Sequence, residues 1–472
     1  MIAKIKASAR YRWYVLISVS LGTFMATLDS SIVNVALPTI AQNFQVDIKV
    51  LQWVPAAYIL TITSLLLTFG RLADMFGKTK IFGIGFLGFT LGSILCGLAV
   101  NPTFLIGARV IQGIGAAMLM ANSMGIITSV FPAQERGRAL GTVGTVVAAG
   151  SMTGPPLGGL LTGTIGWPAI FFINVPIGLL GFWASIYLLP REPGIDRGSS
   201  FDFLGAFFWA SGVISLVLGL SQVETIGWTS RVIVTIFIGV ILLSIFIKME
   251  IKRSQPLIDL NLFKNPVFAS GNFAGFISFV TMFFITIFMP FYFQEVKGYE
   301  PQQIGLFLMV FPVAMAIVAP MSGYLSDKFG YMIFTTGGMA LMFINLLALS
   351  RISTATPVYL VVIAQFVFGI AMGMFQSPNN SSVMGVVPKP KLGIAGGIIA
   401  TMRNFGMVMG IAISVSIFSA RVRLYSGLEK KEAFVSALGD VFLVAACLAL
   451  VGLLVSFIRG KKYDKGQTTV NQ

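Results

Sequence analysis

The sequence contains no histidine, only two cysteines, and few charged residues, which make up 10% of the chain. The lack of histidine excludes Ser-His-Asp and Cys-His catalysis, the HExxH zinc motif and the commonest proton carrier at neutral pH. Both cysteines lie inside apolar runs, so the sequence offers neither a disulfide framework nor a CxxC site. We therefore expect no metal, no cofactor and no enzyme activity.

Apolar residues dominate the chain instead. Of 472 residues, 56% are hydrophobic and 51 more are glycine, well above the composition of a soluble protein. The formal net charge is nevertheless +15. A basic excess often indicates nucleic-acid binding, but so little polar surface excludes a soluble nucleic-acid binder. The composition predicts an integral membrane protein.

Fourteen apolar runs in the sequence are long enough to cross a bilayer as helices, which takes about 20 residues each. The loops between them are too short to hold a folded soluble domain. The predicted spans lie at about 13–38, 51–69, 81–100, 103–129, 139–163, 169–189, 203–220, 231–248, 267–293, 303–325, 331–350, 357–377, 394–420 and 437–458.

Lys and Arg are distributed unevenly between the two sides of these spans. Most of the 32 basic residues fall in segments on the same side as the N-terminus, which the positive-inside rule makes cytoplasmic. One outer loop, with Arg421, Arg423, Lys430 and Lys431, fits this rule poorly. We predict that both termini are cytoplasmic and that basic residues contact anionic lipid headgroups.

The motif G-x-L-x-D-x-F-G occurs twice with identical spacing, at residues 70–77 and 323–330. Each copy follows a span and lies in a short predicted cytoplasmic turn. Spans 1–6 and 9–14 therefore look like two equivalent six-helix halves, an arrangement that many transporters use for alternating access. We expect an all-α membrane fold with halves at 1–200 and 266–460, two inserted helices and a linker at 201–265, and a cytoplasmic tail at 461–472.

Asp29 is the only carboxylate that this span assignment places deep inside the membrane. A charge there costs about 2.5–3.5 kcal/mol on insertion scales, and such residues are usually functional. Its helical face carries the small or apolar residues Gly22, Ala26 and Val33, which suit a neighbouring helix or a cavity. We interpret Asp29 as a proton carrier; the alternative is a structural acid paired with a basic residue.

Arg109 is the natural partner of Asp29, because the lengths of spans 1 and 4 place both residues at a similar depth. Gln112 lies on the same face of span 4. The pair is either a static salt bridge or a contact that tunes the acid until substrate or a conformational change separates them. We favour the second, because a purely structural buried pair adds little stability.

Arg403 lies near the middle of span 13, and the second half has no deep acid to neutralise it. Gln376 and Asn379 could solvate it, so Arg403 has either a structural role or a substrate contact. If Arg109 and Arg403 both face a cavity with Asp29, the net charge there is positive. This argues against a site built for dications.

Span 5 contains a run of glycine and proline at residues 150–159. Glycines at every fourth position form a GxxxGxxxG face that allows close helix packing. The doubled proline removes two backbone donors and bends the helix, so we interpret the run as a hinge or seal. Its residues are Gly150, Gly154, Pro155, Pro156, Gly158 and Gly159.

The two aspartates of the repeated turn can accept hydrogen bonds from helix N-terminal amides and pair with nearby basic residues. We interpret them as parts of a cytoplasmic latch that breaks when the inner gate opens; the alternative is an ordinary polar turn. The predicted latch comprises Gly70, Asp74, Gly77, Lys78, Asp327 and Gly330.

With these motifs, the sequence resembles the major facilitator superfamily, specifically its fourteen-span drug:proton antiporters, over nearly the whole chain. Residues 70–80 look like the superfamily's cytoplasmic loop motif, 109–115 like its span-4 motif and 150–159 like its antiporter motif. Residues 28–38 resemble the span-1 motif of the fourteen-span group, and 167–176 its span 5–6 signature.

The sequence departs from the loop motif at Met75, where a basic residue is usual, and Lys78, Lys80 or Arg71 could substitute for it.

The resemblance implies a transporter of the prokaryotic cytoplasmic membrane that exports amphiphilic drugs or related small molecules in exchange for protons. The proton gradient is then the energy source, and the expected partners are substrates, protons and membrane lipids, with the protein a monomer. An exporter of an endogenous lipid, peptide or metabolite would carry the same motifs, and only the span-5 motif disfavours a proton symporter. The candidate substrate-cavity residues are Asn34, Gln112, Gln376, Asn379 and Arg403.

Overall fold

The computed structural model describes residues 11–132, 135–190, 202–227, 229–253, 257–388 and 391–470. Within these ranges every regular element is helical, as the composition predicts. The predicted boundary between residues 200 and 201 lies outside the described residues, as do Lys4, Lys6 and Arg10 of the basic N-terminus. The predicted domain limits therefore stay predictions.

One compact unit comprises Met1–Ile214, Gly239–Met249 and Pro301–Gly305. Within it the first helix packs along the sixth and the fourth along the fifth. The helices are α1 (Tyr11–Phe44), α2 (Ile48–Leu51), α3 (Trp53–Phe76), α4 (Lys78–Gly97), α5 (Pro102–Val130), α6 (Arg136–Thr164), α7 (Ala169–Phe172) and α8 (Asn174–Leu188).

The other compact unit comprises Ser215–Ile238, Glu250–Glu300 and Leu306–Gln472. The next helices are α9 (Phe203–Ile226), α10 (Ser230–Lys252), α11 (Pro266–Phe291), α12 (Pro301–Phe329), α13 (Tyr331–Leu349), α14 (Val358–Gly385), α15 (Leu392–Leu424) and α16 (Lys430–Val470). A short 3-10 helix (Leu260–Lys264) precedes α11, and a π-helical turn (Tyr292–Val296) follows it. In this unit α13 packs against α14 and α16, and α11 against α15.

Thirteen helices in the described part of the chain are long and apolar enough to cross a membrane. They correspond to thirteen of the fourteen predicted spans. The predicted fifth span corresponds to α6, which has 29 residues but is rich in glycine, threonine and proline. These residues lower its hydropathy, so the fold is that of a multi-pass helical membrane protein while the count of fourteen stays a prediction.

Helix α14 extends further than the sequence suggests. The predicted span ends at residue 377, before Pro378, whereas the helix continues through this proline to Gly385. Proline removes one backbone donor but fits where neighbouring groups compensate. The next side chain, Asn379, donates from Nδ2 to the Gly271 carbonyl of α11 at 3.0 Å, which ties this part of α14 to another helix.

The repeated G-x-L-x-D-x-F-G motif ends on a glycine that joins two helices in both copies. Gly77 lies between α3 and α4 with φ 99°, and Gly330 lies between α12 and α13 with φ 83°. Residues other than glycine rarely adopt backbone angles with such positive φ values. The final glycine of each copy is therefore required by the turn itself.

We predict that Gly77→Ala destabilises the protein by about 1–3 kcal/mol, the usual cost of forcing a residue with a Cβ into this region. Gly70→Ala is the matched control, since Gly70 lies within α3 and a Cβ there meets nothing within 4 Å. Alanine is also the better helix former. Thermal unfolding of the purified proteins should show a lower melting temperature for Gly77→Ala only; equal melting temperatures would contradict the assignment.

Candidate functional site

Asp29 lies in the middle of α1 and is 0% exposed. Its carboxylate accepts hydrogen bonds from three side chains on two other helices. Arg109 Nη1 donates to Oδ2 at 2.5 Å, while Gln112 Nε2 and Asn174 Nδ2 donate to Oδ1 at 2.7 and 3.0 Å. Both oxygens are thus bonded, so α1, α5 and α8 meet around one buried negative charge.

Arg109 is 1% exposed, and its guanidinium is held from several directions. Its Nε donates to the Val54 carbonyl at 3.0 Å, and its Cζ lies 4.1 Å from the ring centroid of Tyr58. An aromatic face attracts a cation, most strongly where water is excluded. Helix α3 therefore fixes the arginine in the position from which it reaches Asp29.

Gln112 connects the two charged groups. Its Oε1 accepts from Arg109 Nη1 at 2.5 Å, and its Nε2 donates to Ser93 Oγ at 2.9 Å as well as to Asp29. Gly92 allows α4 to lie this close to Gln112 of α5, since a Cβ at Gly92 would collide with the backbone of Gln112. We call Asp29, Arg109, Gln112, Asn174 and Ser93 the Asp29 network.

The Asp29 network sets one buried carboxylate against one buried guanidinium. The ionised carboxylate is neutralised by Arg109 and by amide donors, which offsets part of the cost of burying it. A proton on Asp29 would remove that charge and weaken the attraction of the guanidinium. The strength of this contact therefore depends on the charge of the carboxylate.

The glycine face of α6 packs against α1 beside Asp29. A Cβ on Gly150 would lie 3.1 Å from Thr27 Cβ, and one on Gly158 would lie 2.8 Å from the Ile32 carbonyl oxygen. Ser31 Oγ donates to the Gly150 carbonyl at 3.2 Å. The glycine face thus packs against the turns of α1 on both sides of Asp29.

The remaining residues of the 150–159 run face a different segment. A Cβ on Gly159 would collide with the Pro301 carbonyl, and one on Gly305 with the Pro155 carbonyl. Pro301–Gly305 belong to the same compact unit as α6. Helix α6 therefore makes close backbone contacts on two sides, with Pro155 and Pro156 in the second contact.

The predicted latch residues differ in exposure: Gly77 is buried, Gly70, Asp74 and Lys78 are half-buried, and Asp327 and Gly330 are exposed. Asp74 pairs with Lys78 at 3.5 Å across the turn, and the Asp74 side chain is 46% exposed. Lys78 thus supplies the positive charge beside Asp74 that the uncharged Met75 cannot supply. Asp327 is exposed near the end of α12. An exposed pair of this kind contributes little stability, and the latch stays a prediction.

The predicted substrate residues are distributed over several places. Asn34 is buried and donates to the Ser30 carbonyl of its own helix at 3.0 Å. Gln376 is half-buried. Asn379 and Arg403 line one small cavity of about 20 Å³ in the second unit, whereas Asn34 and Gln376 do not. We call it the Arg403 cavity; its lining is Gly271, Asn272, Gly275, Phe279, Asn379, Asn380, Val383, Ile399, Met402 and Arg403.

Three side chains around Asp29 carry no assigned role in the sequence interpretation. Asn174 lies in the span 5–6 signature, which was a signal that could have drawn attention to it. Its contact with Asp29, however, joins α8 to α1 and is visible only in the structure. Ser93 and Tyr58 lie in ordinary apolar runs. Only the packing of helices far apart in sequence brings them to the pair.

Comparison with known proteins agrees with this architecture. The sequence model of the Major Facilitator Superfamily matches residues 19–411, most of the chain. The chain belongs to this superfamily. It is therefore a multi-pass membrane transporter, as superfamily members are, and the match includes the whole of the Asp29 network.

Curated relatives of this superfamily are similar over long stretches. The riboflavin transporter RibZ of Clostridioides difficile is 35% identical over 460 residues, covering 97% of this chain and 99% of that protein. The multidrug resistance protein Stp of Mycobacterium tuberculosis is 34% identical over 407 residues, covering 86% and 75%. Relatives of this superfamily member thus include a vitamin transporter and a drug resistance protein.

Among solved structures, a bacterial homologue of the human lysosomal transporter Spinster, in an inward-facing and unoccupied conformation, has a similar fold. The TM-score is 0.65 and the sequence identity 15%, with 97% of this chain and 98% of that chain covered. At that identity the similarity shows the shared superfamily fold alone.

Proposed function

We propose that this transporter exports amphiphilic small molecules in exchange for protons by alternating access. The observation that carries the proposal is the Asp29 network, in which a fully buried carboxylate is bonded to Arg109, Gln112 and Asn174. A secondary transporter needs a group that exchanges a proton in step with a conformational change. In a chain without histidine, a buried acid with a separable cation is suited to that task.

The coupling follows from the charge of the pair. While Asp29 is ionised, Arg109 of α5 donates both to the Asp29 carboxylate of α1 and to the Val54 carbonyl of α3, and so holds the three helices together. With Asp29 protonated, the guanidinium loses its counter-charge, and the arrangement of these helices is less stable. Proton binding thereby favours one conformation over another. Because the glycine face of α6 packs against α1, a movement of α1 would also move α6.

Export is favoured over uptake by two observations. The glycine–proline run that resembles the antiporter motif packs beside Asp29 and against Pro301–Gly305. The similar protein Stp is a multidrug resistance protein, and a further relative confers methylenomycin A resistance in Bacillus subtilis. We place the transporter in the prokaryotic cytoplasmic membrane with both termini cytoplasmic.

A second candidate cargo is riboflavin or a related metabolite. The supporting observation is the match with RibZ, which covers 97% of this chain and 99% of that protein. The same proton coupling would serve it. The two candidates differ in cargo, so transport assays separate them.

Everted membrane vesicles energised to an acidic interior test both candidates. We expect a fluorescent amphiphile to accumulate in vesicles that contain the protein, to be released by nigericin, and to be absent from vesicles without it. The panel contains a cationic, a neutral and an anionic dye together with riboflavin. Accumulation of riboflavin alone would favour the second candidate, and accumulation that is insensitive to nigericin would refute proton coupling.

A further inference from the structure

The Arg403 cavity lies among α11, α14 and α15, within the second compact unit. Its wall combines two kinds of side chain. Phe279, Val383, Ile399 and Met402 are apolar, whereas Arg403 and three asparagines are polar. With a volume of about 20 Å³, the cavity has room for one small polar group rather than for a whole molecule.

Arg403 brings a charge into this cavity without a counter-charge. Among the described residues no carboxylate lies within ion-pair distance of its guanidinium, and its Nε is buried without a hydrogen-bond partner. Arginine is the residue best suited to a planar anion, because its fork donates two parallel hydrogen bonds. Arg403 as a whole is half-buried, and its buried Nε atom leaves a donor unsatisfied unless an acceptor reaches it.

Asn272 adds a second unfilled group to the same wall. Its Nδ2 donates to the Phe268 carbonyl at 2.9 Å, but its Oδ1 is buried and has no partner among the described residues. The cavity therefore presents a cationic donor and a lone acceptor. A ligand with an anionic group and a nearby N–H or O–H satisfies both.

We propose that the Arg403 cavity binds the carboxylate of an amphiphilic monoanion, with Arg403 as the anion donor and Asn272 as the acceptor, and that such monoanions are cargo of this transporter. The assignment of cargo rests on the proposed transport function. Only the carboxylate enters the cavity, and the half-buried side chains of Phe279, Ile399 and Met402 contact the adjoining apolar part of the molecule. The cavity thus narrows the cargo from amphiphiles in general to those that carry one negative charge.

Charge and depth favour a carboxylate over a phosphate or a lipid headgroup. One guanidinium neutralises one charge, whereas a phosphate monoester carries about −1.5 to −2 near neutral pH. Arg403 follows the start of α15 at Leu392 by eleven residues, which at about 1.5 Å per residue places it roughly 16 Å along the helix. Lipid headgroups lie at the interface rather than at such a depth.

Binding of 4-phenylbutyrate and its neutral amide to the purified full-length protein tests the site, using calorimetry in nanodiscs of phosphatidylcholine without any pH gradient. We expect the wild type to bind the acid at least about tenfold more tightly than the amide, because one charge-assisted hydrogen bond exceeds the 1.4 kcal/mol that corresponds to tenfold. Arg403→Gln should reduce this ratio to about one, and Arg403→Lys should leave part of it.

Arg423→Gln is the matched control, since Arg423 lies near the exposed end of the same helix and should keep the full ratio. Arg403→Gln removes an unpaired charge, so it is expected to fold, and gel filtration and thermal unfolding check this. Equal binding of acid and amide to the wild type, or an unchanged ratio in Arg403→Gln, would overturn the proposal.

Two further experiments distinguish a carboxylate from inorganic phosphate and from a lipid headgroup as the anion that the cavity binds. If inorganic phosphate displaced 4-phenylbutyrate, the cavity would be a phosphate site. If phosphatidylglycerol stabilised the wild type but not Arg403→Gln, it would be a lipid site. Either result would overturn the proposal that it binds a carboxylate.

A transport assay tests the role as cargo. In proteoliposomes, counterflow of labelled 4-phenylbutyrate should occur in the wild type and fall at least tenfold in Arg403→Gln; binding without exchange would refute its role as cargo. None of these outcomes requires proton coupling, so they are independent of the vesicle test.

Discussion

Asp29→Asn is expected to abolish transport driven by a pH gradient and to retain exchange of substrate down its own gradient. The amide has nearly the shape of the carboxylate but cannot bind and release a proton, so the conformational cycle is no longer coupled to protons. In energised everted vesicles, accumulation should fall to the level that nigericin leaves in the wild type. Counterflow in proteoliposomes should persist, because it needs only the substrate-loaded protein to change between its inward-facing and outward-facing conformations.

The variant also leaves Arg109 without its counter-charge. Breaking a buried pair by removing one partner typically costs about 3–5 kcal/mol, so Asp29→Asn should melt at a lower temperature. The double variant Asp29→Asn with Arg109→Gln removes both charges and should recover part of this loss. It keeps the test of coupling valid even if the single variant folds poorly, since it too lacks the proton-exchanging group.

Asp440→Asn is the matched control for a carboxylate in an ion pair. Asp440 lies in α16, accepts from Tyr425 at 2.9 Å and pairs with Arg421 at 3.3 Å, but its side chain is 28% exposed. Exposed pairs contribute little, so its gradient-driven transport should match the wild type. Retained gradient-driven accumulation in Asp29→Asn would refute Asp29 as the proton carrier.

Gly154→Ala is expected to produce the second large effect, a destabilisation of about 1–3 kcal/mol together with loss of transport. A Cβ at this position would collide with Ser31 Oγ and lie 2.7 Å from Ser31 Cβ and 3.0 Å from the Ile32 backbone nitrogen. Rotation of the serine hydroxyl relieves only the first contact. Helix α6 must therefore move away from α1, next to the turn that holds Asp29.

Two further variants test this packing argument. Gly144→Ala lies on the same helix, where a Cβ meets nothing within 4 Å, so its melting temperature and transport should match the wild type. Ser31→Gly combined with Gly154→Ala removes the side chain that the new methyl group meets and should restore part of both. If Gly144→Ala and Gly154→Ala behaved alike, helix propensity rather than packing would explain the effect.

Much of the helical architecture could be predicted from the sequence because a lipid environment leaves few choices. Backbone groups in hydrocarbon must be bonded within the segment, so each long apolar run has to be a helix. Thirteen predicted spans correspond to helices that meet this requirement. The extension of α14 beyond Pro378 was not predicted, because a proline usually ends a helix, and the contact of Asn379 with Gly271 of another helix is visible only in the structure.

Composition and local pattern by themselves determined the class of molecule and the position of Asp29 deep in a span. Both follow from solvation, which acts on a residue and its immediate neighbours. The need for glycine at residues 77 and 330 became evident from the backbone angles of the structure. Tertiary structure alone decided which side chains meet. Asn174 and Ser93 join Asp29, and Asn272 joins Arg403 in one cavity, because helices distant in sequence pack together. Hydrogen bonds between side chains depend on that packing, and a periodic apolar pattern carries no information about which polar atoms it brings within reach.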